Sequence, residues 1–172
     1  LYETKHSFEF HQASLRAGFD EPKNLYKRAY KLLNHARKIW MDLQLNAAEV
    51  TPTTILHYLE ALQSTANLIA GLTGTPLAER RLLLDLPERA EKLGHPEFAR
   101  GFLGLLGGTE ITYASLDEWL PAWKSFLNFA SEASIADIRI HAQRLGYYEK
   151  AITAILESET PLAALYPMLL TW

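Results

Sequence analysis

Residues 51–74, TPTTILHYLEALQSTANLIAGLTG, decide the fold class of this chain. Thr51 and Pro52 are a good helix start, because a threonine oxygen can cap free backbone amides and proline fixes φ in the first turn. The segment then continues without proline until Gly74-Thr75-Pro76 ends it. On a helix, seven apolar side chains fall within an arc of about 140°: Ile55, Leu56, Leu59, Leu62, Ala66, Ile69 and Ala70. A helix with so wide an apolar face needs several neighbours, so we expect it at the centre of a bundle. The side chains expected to be nearly fully buried are Ile55, Leu59, Leu62, Ala66 and Ile69.

The segments on either side also carry helical patterns. Asp20-Glu21-Pro22 starts a strongly amphipathic helix over residues 23–45. Proline and glycine divide the rest into helices predicted at 86–94, 96–107, 115–133, 135–157 and 162–170. The sequence therefore predicts an all-α fold, a single up-down-type bundle of six or seven helices over residues 23–172.

Two of these helix starts are predicted from capping boxes. Asp85 and Glu88 have the spacing of such a box, and Pro87 is not expected inside a continuous helix because it lacks an amide hydrogen. A new helix is therefore expected at Leu86. Ser115 and Glu118 have the same spacing and are expected to start the following long helix.

Trp119 and Trp123 lie four residues apart on that helix. Such a pair could clamp a base or a sugar. Their stripe continues into Phe126, Leu127 and Ala130, so packing in the core is the favoured interpretation.

Residues 1–22 are predicted to be a short extended arm, or a linker from a missing upstream domain. Phe8 and Phe10 alternate with polar residues, as in a strand. An isolated strand needs a partner, and the chain starts with Leu1 rather than Met. We therefore expect this to be a piece of a longer protein.

Composition excludes several functional classes. The chain has 172 residues, a net charge of −3 and no cysteine, so disulfides, thiol nucleophiles and cysteine-ligated zinc are excluded. This composition fits a cytoplasmic protein, and it gives no overall positive field for DNA. No window is apolar enough to predict a membrane span.

No catalytic or metal site is predicted. The chain has no GxSxG, GxxxxGK[ST], GxGxxG or HExxH sequence, and its histidines lack the i, i+4 spacing of a helical metal site.

The main candidate site is a row of basic side chains on the helix at 23–45. These residues lie on a face away from the apolar arc and could contact the phosphates of a nucleotide or an RNA backbone. A solvated outer face is the simpler alternative. The residues are Lys27, Arg28, Lys31, His35 and Lys38.

Two smaller basic groups are secondary candidates. Arg80 and Arg81 lie near acids, and salt bridges are the alternative for them. His141 and Arg144 share a helix face near Tyr147, whereas Arg139 points elsewhere.

Residues 71–95, GLTGTPLAERRLLLDLPERAEKLGH, resemble a known kind of domain, as does 145–152, LGYYEKAI. Over residues 23–172 the chain resembles the helical C-terminal domain beside DNA-polymerase-β-like nucleotidyltransferase domains, as in aminoglycoside nucleotidyltransferase-like proteins. That domain is similar to the HEPN family (higher eukaryotes and prokaryotes nucleotide-binding).

This resemblance implies a non-catalytic bundle that packs against a nucleotidyltransferase domain and forms one wall of its substrate cleft. The Gly-Ser turn and paired aspartates of the catalytic half have no match here. Mg²⁺ and nucleotide are therefore expected in a missing catalytic domain, and no cofactor in this chain. The implied partners are that domain, upstream or separate, and a nucleotide or a small-molecule acceptor.

Two alternatives stay open. One is a helical regulatory or interaction module that forms a homodimer and binds no ligand. The other is a HEPN-type ribonuclease, since members with that activity carry Arg, four to six residues, then His. Arg28–His35 and Arg89–His95 match loosely.

Overall fold

The computed structural model describes residues 3–19, 21–46, 49–133 and 141–172. Within these residues the chain forms eight α-helices and no strand, which confirms the all-α class. The helix beyond the predicted six or seven is the first one, which lies in the segment predicted to be an extended arm. Short 3-10 segments, Glu79–Arg81 and Pro161–Ala164, precede the fourth and the last helix. The helices are α1 Glu3–Phe19, α2 Pro22–Asn46, α3 Pro52–Thr73, α4 Leu82–Lys92, α5 Glu97–Leu105, α6 Tyr113–Glu132, α7 Ala142–Leu156 and α8 Leu165–Thr171. None of these described helices has the length and hydropathy of a membrane span.

The chain divides into two compact units, Leu1–Pro76 and Leu77–Trp172. The predicted domain bounds, 1–22 and 23–172, stay a prediction. In the first unit α2 and α3 form an antiparallel pair with α1 against α2, and in the second unit α4 to α8 pack among themselves. The division follows the end of α3 at Gly74 and the non-helical residues up to Pro76.

The extended N-terminal arm is a wrong prediction, because α1 covers Glu3–Phe19. Phe8 and Phe10 are 65% and 70% exposed, so their alternation does not reflect a buried strand face. The backbone groups of this segment are satisfied within a helix, and the His11 ring nitrogen Nδ1 lies 2.6 Å from the Ser7 carbonyl one turn earlier. A strand without a partner would have left those groups unpaired.

The predicted start and end of α3 are confirmed. The Thr51 side-chain oxygen accepts from the Thr54 amide at 3.2 Å, and the Thr54 hydroxyl oxygen accepts from the Thr51 amide at 2.8 Å. These reciprocal bonds form a capping box, and Pro52 occupies the first turn. Gly74 ends the helix.

Burial along α3 follows the prediction for three of the five side chains that were expected to be nearly fully buried. Leu59, Leu62 and Ala66 are buried, and Ile69 is half-buried. Ile55 is 45% exposed, so its predicted burial is wrong. It lies at the end of the hairpin where the chain turns from α2 into α3, and Leu45 and Val50 at that end are also exposed.

Helix α4 corrects the prediction of a new helix at Leu86, since it starts at Leu82 and continues through Pro87. Asp85 does not cap a helix there; its two oxygens accept from Arg81 at 2.9 and 3.0 Å. Proline costs α4 one backbone hydrogen bond. Burial offsets this cost, because Leu82, Leu86 and Ala90 form one fully buried face.

The N-cap of helix α6 lies three residues earlier in the sequence than predicted. Thr112 is the N-cap, and Ser115 is the reciprocal member of its capping box rather than the cap itself. Each side-chain oxygen accepts from the amide of the other residue at 3.3 Å. Thr112-x-x-Ser115 thus takes the place of the predicted Ser115-x-x-Glu118 box.

The core of the second unit forms around Trp123, which is fully buried as predicted. Its indole Nε1 donates to the Thr171 hydroxyl at 3.0 Å, and that hydroxyl donates to the Pro167 carbonyl at 2.7 Å. Trp119 is half-buried, with its ring edge-on to Trp172. The favoured packing interpretation is therefore met in full by Trp123 and in part by Trp119. The predicted start of the helix at 135 lies outside the described residues.

Replacement of Leu62 tests the packing of α3. We expect Leu62→Ala to lower the free energy of unfolding by about 2–5 kcal/mol, because it leaves a cavity in a closed site. Leu56→Ala on the same helix is the matched control and should cost clearly less, about 1 kcal/mol, since Leu56 is 44% exposed. Chemical denaturation followed by circular dichroism measures both. Equal costs would show that the α2–α3 contact is not as described.

Candidate functional site

The outer face of α2 carries a row of exposed lysines. Lys23, Lys27 and Lys31 follow one another at one-turn spacing, and Lys38 extends the row by two turns. All four directions lie within about 80° of each other on the helix. Ala36 is buried on the opposite side, where α2 packs against α3. The packing of the hairpin therefore turns the lysines towards solvent.

No acid of the described residues forms an ion pair along this row, although Asp42 follows Lys38 by one helical turn and can partly offset the charge at that end. Among the described residues, none forms an ion pair with Lys27, Lys31 or Lys38. Asp42 is the one acid of α2, and its carboxylate accepts a hydrogen bond from Asn46 at 2.7 Å. The like charges repel one another, and an anion from outside would relieve that repulsion.

Arg28 has a structural role between α1 and α2. Its Nη1 donates to the Phe19 carbonyl at 2.7 Å, and its guanidinium lies 3.7 Å from the centre of the Phe19 ring. Nη2 is buried and has no hydrogen-bond partner among the described residues. Arg28 is thus directed towards the end of α1 rather than towards solvent.

His35 also contacts a neighbouring helix, because its Nε2 lies 2.9 Å from a carboxylate oxygen of Glu60 on α3. Both side chains are about half exposed. Of the five predicted residues, the structure leaves Lys27, Lys31 and Lys38 on one open face and uses Arg28 and His35 in contacts with neighbouring helices.

Sequence reasoning missed an aromatic pair beside these lysines. Tyr26 and Tyr30 stack at 5.8 Å between ring centres and 15° between ring planes. Both rings are more than half exposed, and they lie one turn from Lys23 and Lys27 respectively. Their i, i+4 spacing was the available signal. A planar aromatic surface next to cations can stack with a base while the cations contact phosphate.

The secondary candidates do not form a common site. Arg80 lies over the Tyr147 ring at 4.3 Å, and Arg81 forms the salt bridge to Asp85 that the sequence offered as its alternative role. The hydrogen bond from Arg81 to Asp85 raises the pKa of the Arg81 guanidinium. His141 caps α7, its Nδ1 accepting from the Gln143 amide at 3.3 Å, and Arg144 is exposed. Arg139 lies outside the described residues.

The two Arg–His pairs have different surroundings in the structure. Arg28 and His35 contact Phe19 and Glu60, as described. The second pair is separated by the end of α4 at Lys92 and by Gly94, whose φ of 77° turns the chain out of the helix. His95 then pairs with Glu97 at 2.8 Å. In the part of the chain that the structure describes, no group of three histidines or acids could hold a metal ion.

The second unit contains a partly open pocket of about 440 Å³ that the sequence did not predict. Its walls come from α4, α5, the first residue of α6, and the segment that leads into α8. Because the lining combines residues of three helices with a segment near residue 160, no local sequence pattern predicts the pocket. It is lined by Leu83, Leu86, Pro87, Ala99, Leu103, Tyr113, Glu159, Thr160, Pro161, Leu162 and Ala163.

Comparison with known proteins finds no family model, no curated protein and no solved structure that matches this chain. The resemblance to the helical domain of nucleotidyltransferase-like proteins therefore stays a prediction.

The structural role of Arg28 is testable by replacement with a side chain of similar length. Arg28→Met keeps apolar contact with Phe19 but removes the donor to its carbonyl, so we expect a loss of about 0.5–1.5 kcal/mol in the free energy of unfolding. Lys27→Met is the matched control and should change it by about 0.5 kcal/mol or less. Denaturation curves of both variants give the comparison. A loss no larger for Arg28→Met than for Lys27→Met would mean that Arg28 is a surface cation.

Proposed function

We propose that this chain is a non-catalytic helical domain that binds a nucleotide, or a similar polyanion, on the lysine face of α2. One observation carries the proposal: Lys27, Lys31 and Lys38 are exposed on one face, and none has an acidic partner among the described residues. An unneutralised row of this kind is an electrostatic site for phosphate. Its cations are held by a helix whose other side is packed against α3.

The aromatic pair narrows the ligand class. A bare polyanion needs only the lysines, whereas a nucleotide also offers a planar base. Tyr26 and Tyr30 present exposed ring surface within one turn of Lys23 and Lys27. Stacking on an aromatic ring contributes about 1–3 kcal/mol per base in single-strand binding proteins. We therefore favour a nucleoside triphosphate over inorganic polyphosphate.

The resemblance extends this proposal to the parent protein. A nucleotidyltransferase domain, upstream or separate, would hold Mg²⁺ and carry out the transfer, and this chain would form one wall of the cleft for the nucleotide or a small-molecule acceptor. A cytoplasmic location accords with the absence of cysteine. The observation on α2 supports the binding role alone.

Replacement of two lysines tests this function. Titration calorimetry at low salt should detect weak ATP binding, and Lys27→Gln/Lys31→Gln should weaken it by about 2- to 30-fold, the effect of two exposed charge pairs. The melting temperature should stay the same, because exposed lysines contribute little to stability. Arg28 is left unchanged in this design, since its replacement would also disturb the contact with α1.

The matched control removes the same charge from the second unit. Arg100→Gln/Lys150→Gln replaces two exposed cations on α5 and α7, so the net charge changes equally. This variant should bind ATP as the parent does. No binding by the parent, or an equal loss in both variants, would contradict a site on α2.

The dimerisation alternative has an observation of its own. The end of the hairpin where α2 turns into α3 exposes Met41, Leu45, Val50 and Ile55, each at least 45% accessible. Exposed apolar side chains in one region are typical of interaction surfaces. Sedimentation across a range of concentrations distinguishes this module from a monomeric ligand-binding domain. The ribonuclease alternative has no comparable support, because Arg28 and His35 are engaged with Phe19 and Glu60.

A further inference from the structure

The pocket of the second unit is a second candidate binding site, independent of α2. Its volume of about 440 Å³ lies within the range of small-molecule sites, which are mostly apolar with a few polar groups. Most of its lining side chains are aliphatic. The pocket therefore fits the apolar body of a small organic molecule.

The pocket is preformed by well-packed elements. Its floor includes Leu86 and Ala163, which are 0% and 4% exposed. Pro87 and Pro161 restrict the backbone at its wall. Helix α4 packs against both α5 and the 3-10 segment Pro161–Ala164, so the walls are held from two sides. A ligand would not have to order this site before it binds.

The only charged side chain among the lining residues is acidic. Glu159 is the one ionisable acid among the lining residues, and no lysine, arginine or histidine is among them. Its carboxylate forms no ion pair among the described residues. It also follows the carboxyl end of α7 at Leu156 by three residues, where the helix dipole adds partial negative charge. An anionic ligand would be repelled here, whereas a cationic ligand would gain a charge pair with the exposed carboxylate of Glu159.

We propose that the pocket binds a small hydrophobic cation, a molecule with an apolar body and an ammonium group. The body occupies the space between Leu86, Leu103 and Ala163, and the ammonium lies against Glu159. The hydroxyl groups of Tyr113 and Thr160 supply further oxygen acceptors at the lining.

Three probes that differ only in the head group test the charge preference. The full 172-residue chain is titrated by calorimetry with 4-phenylbutylamine, 4-phenylbutanol and 5-phenylpentanoate, which share a phenyl ring and four methylene groups. The ammonium should bind about two- to fivefold more tightly than the alcohol, the effect of one exposed charge pair, and the carboxylate should bind most weakly. Equal affinities for the three probes, or no binding of the ammonium at millimolar concentration, would overturn the proposal.

Replacement of Glu159 tests the role of the carboxylate without a change in the core. Glu159→Gln should remove the preference for the ammonium and leave the affinity for the alcohol unchanged. Glu157→Gln is the matched control, because Glu157 is exposed two residues away and is not part of the lining. A preference that survives Glu159→Gln, or disappears in Glu157→Gln, would show that Glu159 does not hold the cation.

Filling the pocket tests where the apolar body lies. Ala99→Phe on α5 should lower the affinity for the ammonium probe about tenfold or more, because the phenyl ring would occupy the space between α4 and α5. Ala154→Phe on α7, at an exposed alanine outside the lining, should leave the affinity unchanged. Circular dichroism verifies the folding of both variants, and Glu159→Gln keeps the proposal testable if Ala99→Phe does not fold. Undiminished binding to a folded Ala99→Phe protein would overturn the proposal.

Discussion

The packing of α2 against α3 determines what the first unit presents to solvent. Ala36 on α2 and Leu59, Leu62, Ala66 and Ala70 on α3 are buried, and the small alanine side chains allow close approach of the two helices. A helix cannot turn one face without turning the others, so burial of the Ala36 side directs the lysine face outward. His35 to Glu60 and Arg28 to Phe19 then attach α2 to the helices on either side of it. The exposed charge of α2 is thus a consequence of how the hairpin packs.

Much of the fold was predictable because its signals are local. The capping residue Thr51, the wide apolar arc of α3 and the buried stripe around Trp123 all act within a few turns of one helix. The wrong predictions occurred where a local signal competed with packing. Pro87 was expected to exclude a continuous helix, but the buried face of Leu82, Leu86 and Ala90 outweighs its one lost hydrogen bond. Phe8 and Phe10 alternate as in a strand, yet the described residues contain no strand to pair with this segment, and a helix satisfies the backbone without a partner.

The candidate sites were harder to predict from the sequence than the fold, because they depend on contacts between helices. The spacing of Lys27, Lys31 and Lys38 predicts that they share a helix face. It does not predict the contacts of Arg28 and His35, because their partners lie 9 and 25 residues away in sequence. The stacked tyrosines have the helical spacing of neighbours, but that spacing does not show whether a pair of rings is exposed or buried. The pocket could not be predicted, since α4, α5, α6 and the segment at Pro161 each contribute a few side chains that have no common pattern. Sites made by one helix are readable in a sequence, and sites made between helices are not.

The central claim is that the lysine face of α2 is a phosphate-binding surface. The most direct test is a nuclear magnetic resonance titration of the isotope-labelled chain with ATP at low salt, which reports every backbone amide at once. The account predicts that the largest chemical-shift changes follow α2 from Tyr26 to Lys38, with further changes in the ring signals of Tyr26 and Tyr30, and that added salt reverses them. Changes centred on α4 to α7, or none on α2 at saturating ATP, would contradict it.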